Sequence, residues 1–135
     1  MKQLIYRSKP VSFNDGILGE ILLTAWANNR QDHISGALIC RHDLYLQLIE
    51  GPEDKVDALY AKICGDDRHT DVKTLVDVRV YERILSAWSM LDERTLTDKQ
   101  SVLGISVETV DKASSAQLLS KFERIAAEAG KLEKG

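Results

Sequence analysis

Hydrophobic and polar residues alternate along this chain with two different periods. A period of two predicts five strands, over residues 3–8, 34–40, 44–50, 75–81 and 84–90, with a hairpin connection at 41–43. Helical spacing predicts a first helix that ends at Asn28-Asn29 and has its apolar stripe at Ile17, Leu18, Ile21, Leu22 and Ala25. A second helix is expected to begin at Gly51-Pro52, with proline as its first helical residue, and to end at Gly65.

The C-terminal part of the chain has a separate helical pattern. Ser114-Ser115-Ala116-Gln117 is typical of a capping box and predicts a helix start. The apolar residues that follow fall on a single stripe: Leu118, Leu119, Phe122, Ile125, Ala126 and Ala129. The order β-α-β-β-α-β-β predicts an α+β fold, a ferredoxin-like sandwich with two helices on one sheet face. The C-terminal helical extension is expected to cover the other face.

One amide interrupts an otherwise apolar strand at residues 44–50. Gln47 faces the same side as Tyr45 and Ile49, because side chains alternate along a strand. Burying this amide without partners would cost about 1–3 kcal/mol. Right-handed crossovers place the first and third strands side by side, and we expect them to be parallel. Tyr6 and Gln47 are therefore predicted to share one buried site beneath the helices.

Composition narrows the class of protein. The 135 residues, 44% hydrophobic and 29% charged, are expected to form one domain with an extension. A net charge of −3 gives no reason to expect nucleic acid as a partner. We expect neither a signal peptide nor a membrane segment, and hence a cytoplasmic location. Cys40 and Cys64 lie among apolar neighbours and are interpreted as small buried residues, not as a disulfide or a metal site.

Six short motifs, in order along residues 1–93, resemble the BLUF domain family. They are Tyr6-Arg7-Ser8, Asn28-Asn29, Ile34-Ser35-Gly36, Tyr45-Leu46-Gln47 continuing through Leu48-Ile49-Glu50-Gly51, Asp66-Asp67-Arg68-His69, and Trp88-Ser89-Met90. BLUF domains are blue-light sensors that bind FAD noncovalently. The resemblance therefore implies a short, stand-alone photoreceptor with FAD as its cofactor, and FMN or riboflavin as substitutes.

The resemblance also implies roles for two residues at the centre of the site. Tyr6 would donate an electron to the excited flavin, and Gln47 would be hydrogen-bonded between Tyr6 and the ring. The Gln47 amide would then rearrange, by rotation or by tautomerisation. The residue types suit these roles, because a phenol is oxidisable at close range and an amide can exchange a donor for an acceptor.

Further site residues follow from the same resemblance. Trp88 and Met90 would approach Gln47 and report its state, although either of them could be the one near the flavin. The cofactor-binding residues would be Tyr6, Ser8, Asn28, Asn29, Gln47, Asp66, Arg68 and His69. Asn29 could instead be a helix C-cap, where asparagine is common. His33 departs from the family, which usually has glycine there, and a positive φ would suit histidine less well than glycine.

These observations lead to a division of the chain and to a function. Residues 1–93 are expected to be the flavin-binding domain and residues 94–135 a helical cap that carries the output. We expect no enzymatic activity and no metal, a homo-oligomer, and an unidentified downstream protein in trans, with no nucleic-acid or membrane partner. The alternatives are a small enzyme on a ferredoxin-like fold and a ligand-binding regulatory module without photochemistry.

Overall fold

The computed structural model describes residues 1–11, 25, 28–41, 43–85, 90–92 and 106–134, with the backbone alone for residues 92 and 130–134. Its strands are β1 (Lys2–Pro10), β2 (Ser35–Arg41), β3 (Leu44–Gly51), β4 (His69–Arg79) and β5 (Leu91–Asp92). They form one sheet in the order β4-β1-β3-β2-β5. The predicted ferredoxin-like α+β fold is confirmed, and so is the β2–β3 hairpin.

Two strand predictions were wrong in detail. β1 and β3 are neighbours as expected, but they are antiparallel. The helical crossover makes β1 and β2 run the same way, and β3 lies between them as the hairpin partner of β2, so it must oppose both. The predicted strand at 84–90 is wrong where it is described: residues 84, 85 and 90 are not extended ladder residues, and β5 follows them, parallel to β2.

Among the described residues, four helices accompany the sheet. The described part of α1 is residue 25 and residues 28–32, so Asn28-Asn29 lies within this helix and does not end it. The apolar stripe predicted at 17–22 lies outside the described residues. α2 (Glu53–Cys64) ends before Gly65 as predicted, but Pro52 is its N-cap and not its first helical residue. α3 (Val107–Lys112) was not predicted, and α4 (Ser115–Lys134) begins at the predicted capping box.

The backbone conformation at the end of α1 explains why glycine is usual at the position of His33. This residue has a φ of 59°, in the left-handed region. The amide of Ile34 donates to the carbonyl of Asn29 at 2.8 Å, and that of His33 donates to Arg30 at 3.4 Å. These two bonds form a Schellman motif, whose left-handed position is usually glycine. The motif fixes Asn29 in the last turn of α1, and the C-cap interpretation of Asn29 was therefore wrong.

The sheet has two differently covered faces. On the cleft face, beneath α1 and α2, the buried residues are Leu4, Tyr6, Ile34, Leu38, Cys40, Tyr45, Ile49, Val56 and Met90. On the tail face, Val110 of α3 and Leu118, Phe122, Ile125 and Ala129 of α4 pack on the strands. The predicted stripe of α4 thus covers the second face of the sheet.

Two expectations from composition can be compared with the described residues. None of the described helices is long and apolar enough to cross a membrane. Cys40 is buried on β2, whereas Cys64 is exposed at the end of α2, so only one of the two is a buried residue. Neither forms a disulfide.

Candidate functional site

The cleft face carries a chain of three residues joined by two hydrogen bonds at its centre. Tyr6 and Gln47 are directly opposite each other on β1 and β3, with Tyr6 4% and Gln47 6% exposed. The hydroxyl of Tyr6 donates to Oε1 of Gln47. The Nε2 of Gln47 donates to Sδ of Met90 at 3.3 Å. The structure therefore brings together three of the four residues to which the sequence assigns photochemical roles, and the fourth, Trp88, lies outside the described residues.

Tyr6 is held as a neutral phenol. Its burial raises its pKa far above the usual value, because the charged phenolate would lose its hydration. Two aromatic rings border it, Tyr60 at 5.6 Å and His69 at 6.3 Å between ring centroids. The hydroxyl of Tyr60 is bonded to Thr74 Oγ1 at 2.6 Å. Of these two neighbouring phenols, Tyr6 is the one bonded to Gln47.

His69 is fixed by protein partners on both ring nitrogens. Its Nε2 lies 2.6 Å from the carbonyl of Ile63, which can only accept, so Nε2 carries a proton. Its Nδ1 lies 2.7 Å from the hydroxyl of Ser8, which donates to it when the ring is neutral. The first bond also satisfies a carbonyl in the last turn of α2. His69 thus presents its ring, and not a free nitrogen, to the cleft.

The segment after α2 is held by a local ion pair. Asp66 accepts from the backbone amide of Arg68 at 2.9 Å, and its Oδ2 lies 2.5 Å from Arg68 Nη2. The Arg68 side chain lowers the pKa of Asp66, so this carboxylate remains charged. Aspartate side chains often accept from the backbone amide two residues later in this way. The bond holds the side chains of Asp66 and Arg68 in the lining of the cleft.

A cleft with an empty volume of about 790 Å³, part of it open to solvent, connects these groups. Its apolar lining is Ala25, Leu38, Tyr45, Leu59 and Ile63, and its polar lining is Tyr6, Asn28, Asn29, Gln47, Lys62, Asp66, Arg68 and His69. Asn29 is 1% exposed, whereas Asn28 is exposed at the mouth. Ser8 does not line the cleft but holds His69. Lys62 was not predicted, since a lysine in the last turn of a helix is usually a solvated surface residue.

Glu50 is a second residue whose role the sequence did not indicate. It is fully buried on the tail face of β3. Its carboxylate accepts from the amides of Leu85 at 2.5 Å and Ile84 at 3.0 Å, from Gln3 Nε2 at 3.0 Å, and from Ser35 Oγ at 3.4 Å. A buried carboxylate requires such donors. Glu50 thereby anchors Ile84 and Leu85, which precede Met90 in the sequence by six and five positions.

The cleft suits a planar, partly polar ligand. Apolar side chains of the sheet and of the helices line it, and the buried Gln47 amide, which has both a donor and an acceptor, is part of the same lining. Asn29 offers a second amide at the side, and Lys62 and Arg68 place positive charge in the lining. A fused ring with polar edges and a phosphate-bearing chain matches this set of groups. Among the described residues, no group of three or more His, Cys, Asp or Glu side chains could hold a metal.

Known proteins with similar sequences are light-responsive. The photoactivated adenylate cyclase subunit beta of Euglena gracilis is 39% identical over 84 residues, which cover 62% of this chain and 10% of that protein. The blue light- and temperature-regulated antirepressor BluF of Escherichia coli is 33% identical over 106 residues, which cover 74% of this chain and 25% of that protein. The chain thus spans a quarter or less of these relatives.

Solved structures give the same fold. A bacterial light-regulated adenylyl cyclase is 29% identical, with a TM-score of 0.70 over 95% of this chain and 40% of that chain. BlsA in its photo-activated state has a TM-score of 0.76 at 24% identity, over 93% of this chain and 94% of that chain. The family model described as sensors of blue light using FAD matches residues 1–91. The chain belongs to the BLUF family.

Proposed function

We propose that this chain senses blue light through noncovalently bound FAD, with Tyr6 and Gln47 as the reacting pair. The observation that carries this proposal is the buried chain from Tyr6 through Gln47 to Met90. A bound flavin supplies the absorption of blue light and, when excited, accepts an electron. Tyr6 would supply that electron, and its hydroxyl proton would pass along the hydrogen bond to Oε1 of Gln47; both would return to Tyr6 when the dark state is restored.

The Gln47 amide then has a second stable arrangement. Rotation by half a turn puts Nε2 towards Tyr6, whose oxygen can accept, and puts Oε1 towards Met90. A thioether can only accept, so the bond from Gln47 to Met90 is lost in the rotated state. Tautomerisation changes the donors in a similar way. Met90 is therefore the described residue best placed to register the state of Gln47, and Trp88 stays a candidate for the same role.

The polar lining of the cleft supports the remaining cofactor contacts. Asn29 pairs with a ring edge that has one donor and one acceptor, and Asn28, Asp66 and Arg68 bind the chain of the cofactor. Ser8 and His69 shape the adjoining wall. We favour FAD because the family is described as using it. FMN and riboflavin are substitutes that fill the same ring site.

We infer that this chain transmits its signal without catalysing a reaction itself. Residues 1–93 bind the flavin, and residues 94–135 pass the signal to a partner protein in trans, in a cytoplasmic homo-oligomer. The packing of α3 and α4 on the tail face of the sheet supports this division, since it connects the extension to the strands that carry Tyr6 and Gln47. A light-regulated adenylyl cyclase among the similar structures illustrates an alternative in which output comes from a catalytic domain.

The substitution Gln47→Leu tests the reacting pair. The FAD-loaded variant should fold and bind flavin, because leucine has a similar volume and needs no hydrogen bonds. It should lose the reversible red shift of the flavin absorption band under blue light, since no amide remains to rearrange. The measurement is the absorption spectrum before, during and after illumination.

Gln3→Leu is the matched control. It removes another buried amide of the same sheet, but from the tail face, and should keep the red shift. A normal red shift in Gln47→Leu would refute the role of Gln47. A wild-type protein that binds no flavin would favour the non-photochemical alternatives, and one that binds flavin without a red shift would refute light sensing.

A further inference from the structure

Arg7 joins β1, the strand of Tyr6, to the C-terminal helix α3. It lies between Tyr6 and Ser8 on β1, and its side chain points to the tail face because strand residues alternate. Its Nε and Nη2 donate to the two carboxylate oxygens of Asp111 on α3, each at 2.9 Å. Its Nη1 donates to the backbone oxygen of Asp71 on β4 at 2.7 Å. One guanidinium thus holds three elements that are far apart in the sequence.

The contact is unlike an ordinary surface ion pair. The Arg7 side chain is only 7% exposed, and that of Asp111 is 26% exposed. Two parallel bonds from a guanidinium to a carboxylate fix the orientation of both groups as well as their distance. The bonds to Arg7 also lower the pKa of Asp111, so the pair remains charged at neutral pH. We call Arg7, Asp71 and Asp111 the clamp.

The backbone around the clamp is irregular. The pairing of β1 with β4 shifts register between Ile5 and Tyr6 and again between Arg7 and Lys9. Such bulges redirect side chains and bend the strand. Asp71 has a φ of 54°, a conformation that a non-glycine residue keeps only where its surroundings hold it. Both irregularities lie where β1 and β4 bring Arg7 and Asp71 together.

We propose that Arg7 is a positioning residue that couples the flavin site to the docking of α3. Through Asp111 and Asp71 it sets the position of β1 at Tyr6, so rearrangement of Gln47 changes how firmly the clamp holds α3. Coupling between two sites is reciprocal, so release of α3 also changes the return of Gln47. This inference rests on the proposed function, because it takes the Tyr6–Gln47 pair as the element that changes in light.

The test compares Asp111→Asn with Glu108→Gln in the full chain. Both replace an acid by its amide on α3, but Glu108 is an exposed partner of Lys112 and touches no part of the clamp. We expect Asp111→Asn to keep the size of the red shift and to raise hydrogen exchange of α3 in the dark about fivefold. It should also reduce the light-minus-dark exchange difference in residues 106–129 and change the dark recovery rate about fivefold.

Three outcomes decide between the proposals. If Asp111→Asn and Glu108→Gln behave alike while the wild-type protein shows a red shift, the coupling is refuted and light sensing stands. If the wild-type protein shows no red shift, the proposed function fails. The positioning role of Arg7 is then tested in the protein without flavin, where equal hydrogen exchange of α3 in Asp111→Asn and Glu108→Gln would refute it. Arg7→Lys keeps the charge without the planar fork and should resemble Asp111→Asn; wild-type behaviour there would also refute the clamp.

Discussion

Buried polar groups on the two faces of the sheet differ in the number of partners that hold them. On the tail face, the Arg7 guanidinium and the Glu50 carboxyl group are each held by several partners at once. On the cleft face, Gln47 has one partner at each end of its amide, and each bond can be exchanged without a change of charge. Highly connected polar groups fix a structure, whereas a group with two equivalent arrangements can switch. The comparison assigns stability to the tail face and responsiveness to the cleft face.

The largest effect should come from Tyr6→Phe, which removes one of the two hydrogen bonds of Gln47 on the cleft face. The ring remains, but the oxidisable hydroxyl and its bond to Gln47 are lost. We expect flavin binding with brighter, longer-lived flavin fluorescence and no normal photocycle. Absorption and time-resolved fluorescence under blue light measure this.

Tyr60→Phe is the control for Tyr6→Phe. It removes a second phenol next to the first, but one bonded to Thr74 and not to Gln47. This variant should keep its photocycle. If Tyr6→Phe also cycles like the wild-type protein, electron transfer from Tyr6 does not start the response.

Phe122→Ala should destabilise the packing of α4 on the tail face. Phe122 is fully buried against the sheet, and truncating such a residue costs about 3–5 kcal/mol in the free energy of unfolding. Denaturant unfolding of the FAD-loaded protein measures this loss, and the remaining folded protein should keep its red shift. Glu123→Ala, on the exposed side of α4, should change stability by about 0.5 kcal/mol or less. A folded Phe122→Ala without a red shift would contradict the separation of the two faces.

His33→Gly should have a smaller and opposite effect. Glycine adopts the left-handed conformation at the end of α1 without strain, so we expect a gain of about 1 kcal/mol in the free energy of unfolding. Denaturant unfolding again gives the value. A loss of stability would mean that the histidine side chain contributes contacts that outweigh its backbone strain.

The smallest effect is expected for Lys62→Gln at the cleft mouth. A partly exposed charge contributes little, so the dissociation constants of FAD and FMN should rise about threefold. Binding of riboflavin, which has no phosphate, should be unchanged. Lys55→Gln, on the same helix but outside the cleft lining, is the control. Equal weakening of all three flavins would show that Lys62 acts on the ring site and not on a phosphate.

The sequence predicted the centre of the site because its evidence is local. Strand alternation and the order of elements suffice to put Tyr6 and Gln47 in one buried site on neighbouring strands, whatever the direction of the strands, whereas their direct pairing is known only from the structure. The direction itself was mistaken, since it depends on where β3 inserts and not on any residue pattern. The apolar pattern at 84–90 predicted a strand, but the described residues 84, 85 and 90 are not part of one, because buried apolar residues also occur outside strands.

The residues that connect the site to the rest of the molecule could not be predicted. Arg7 and Asp111 are 104 positions apart, and α3, which carries Asp111, is only six residues long. Glu50 belongs to a family motif, but its role depends on the backbone amides of Ile84 and Leu85, which any residue other than proline would supply. Lys62 has no pattern that separates it from other surface lysines.

The alternation of side chains on β1 has a consequence for how this chain can change in evolution. Tyr6 and Ser8 point to one face and Arg7 to the other, so the proposed flavin site and the clamp occupy consecutive positions. Losing or gaining a single residue within β1 would turn Arg7 towards the cleft and Tyr6 towards α4, disabling both together. A substitution in β1 alters one side chain, whereas a change of length alters the facing of several side chains at once. We therefore expect β1 to be among the segments least tolerant of insertions and deletions.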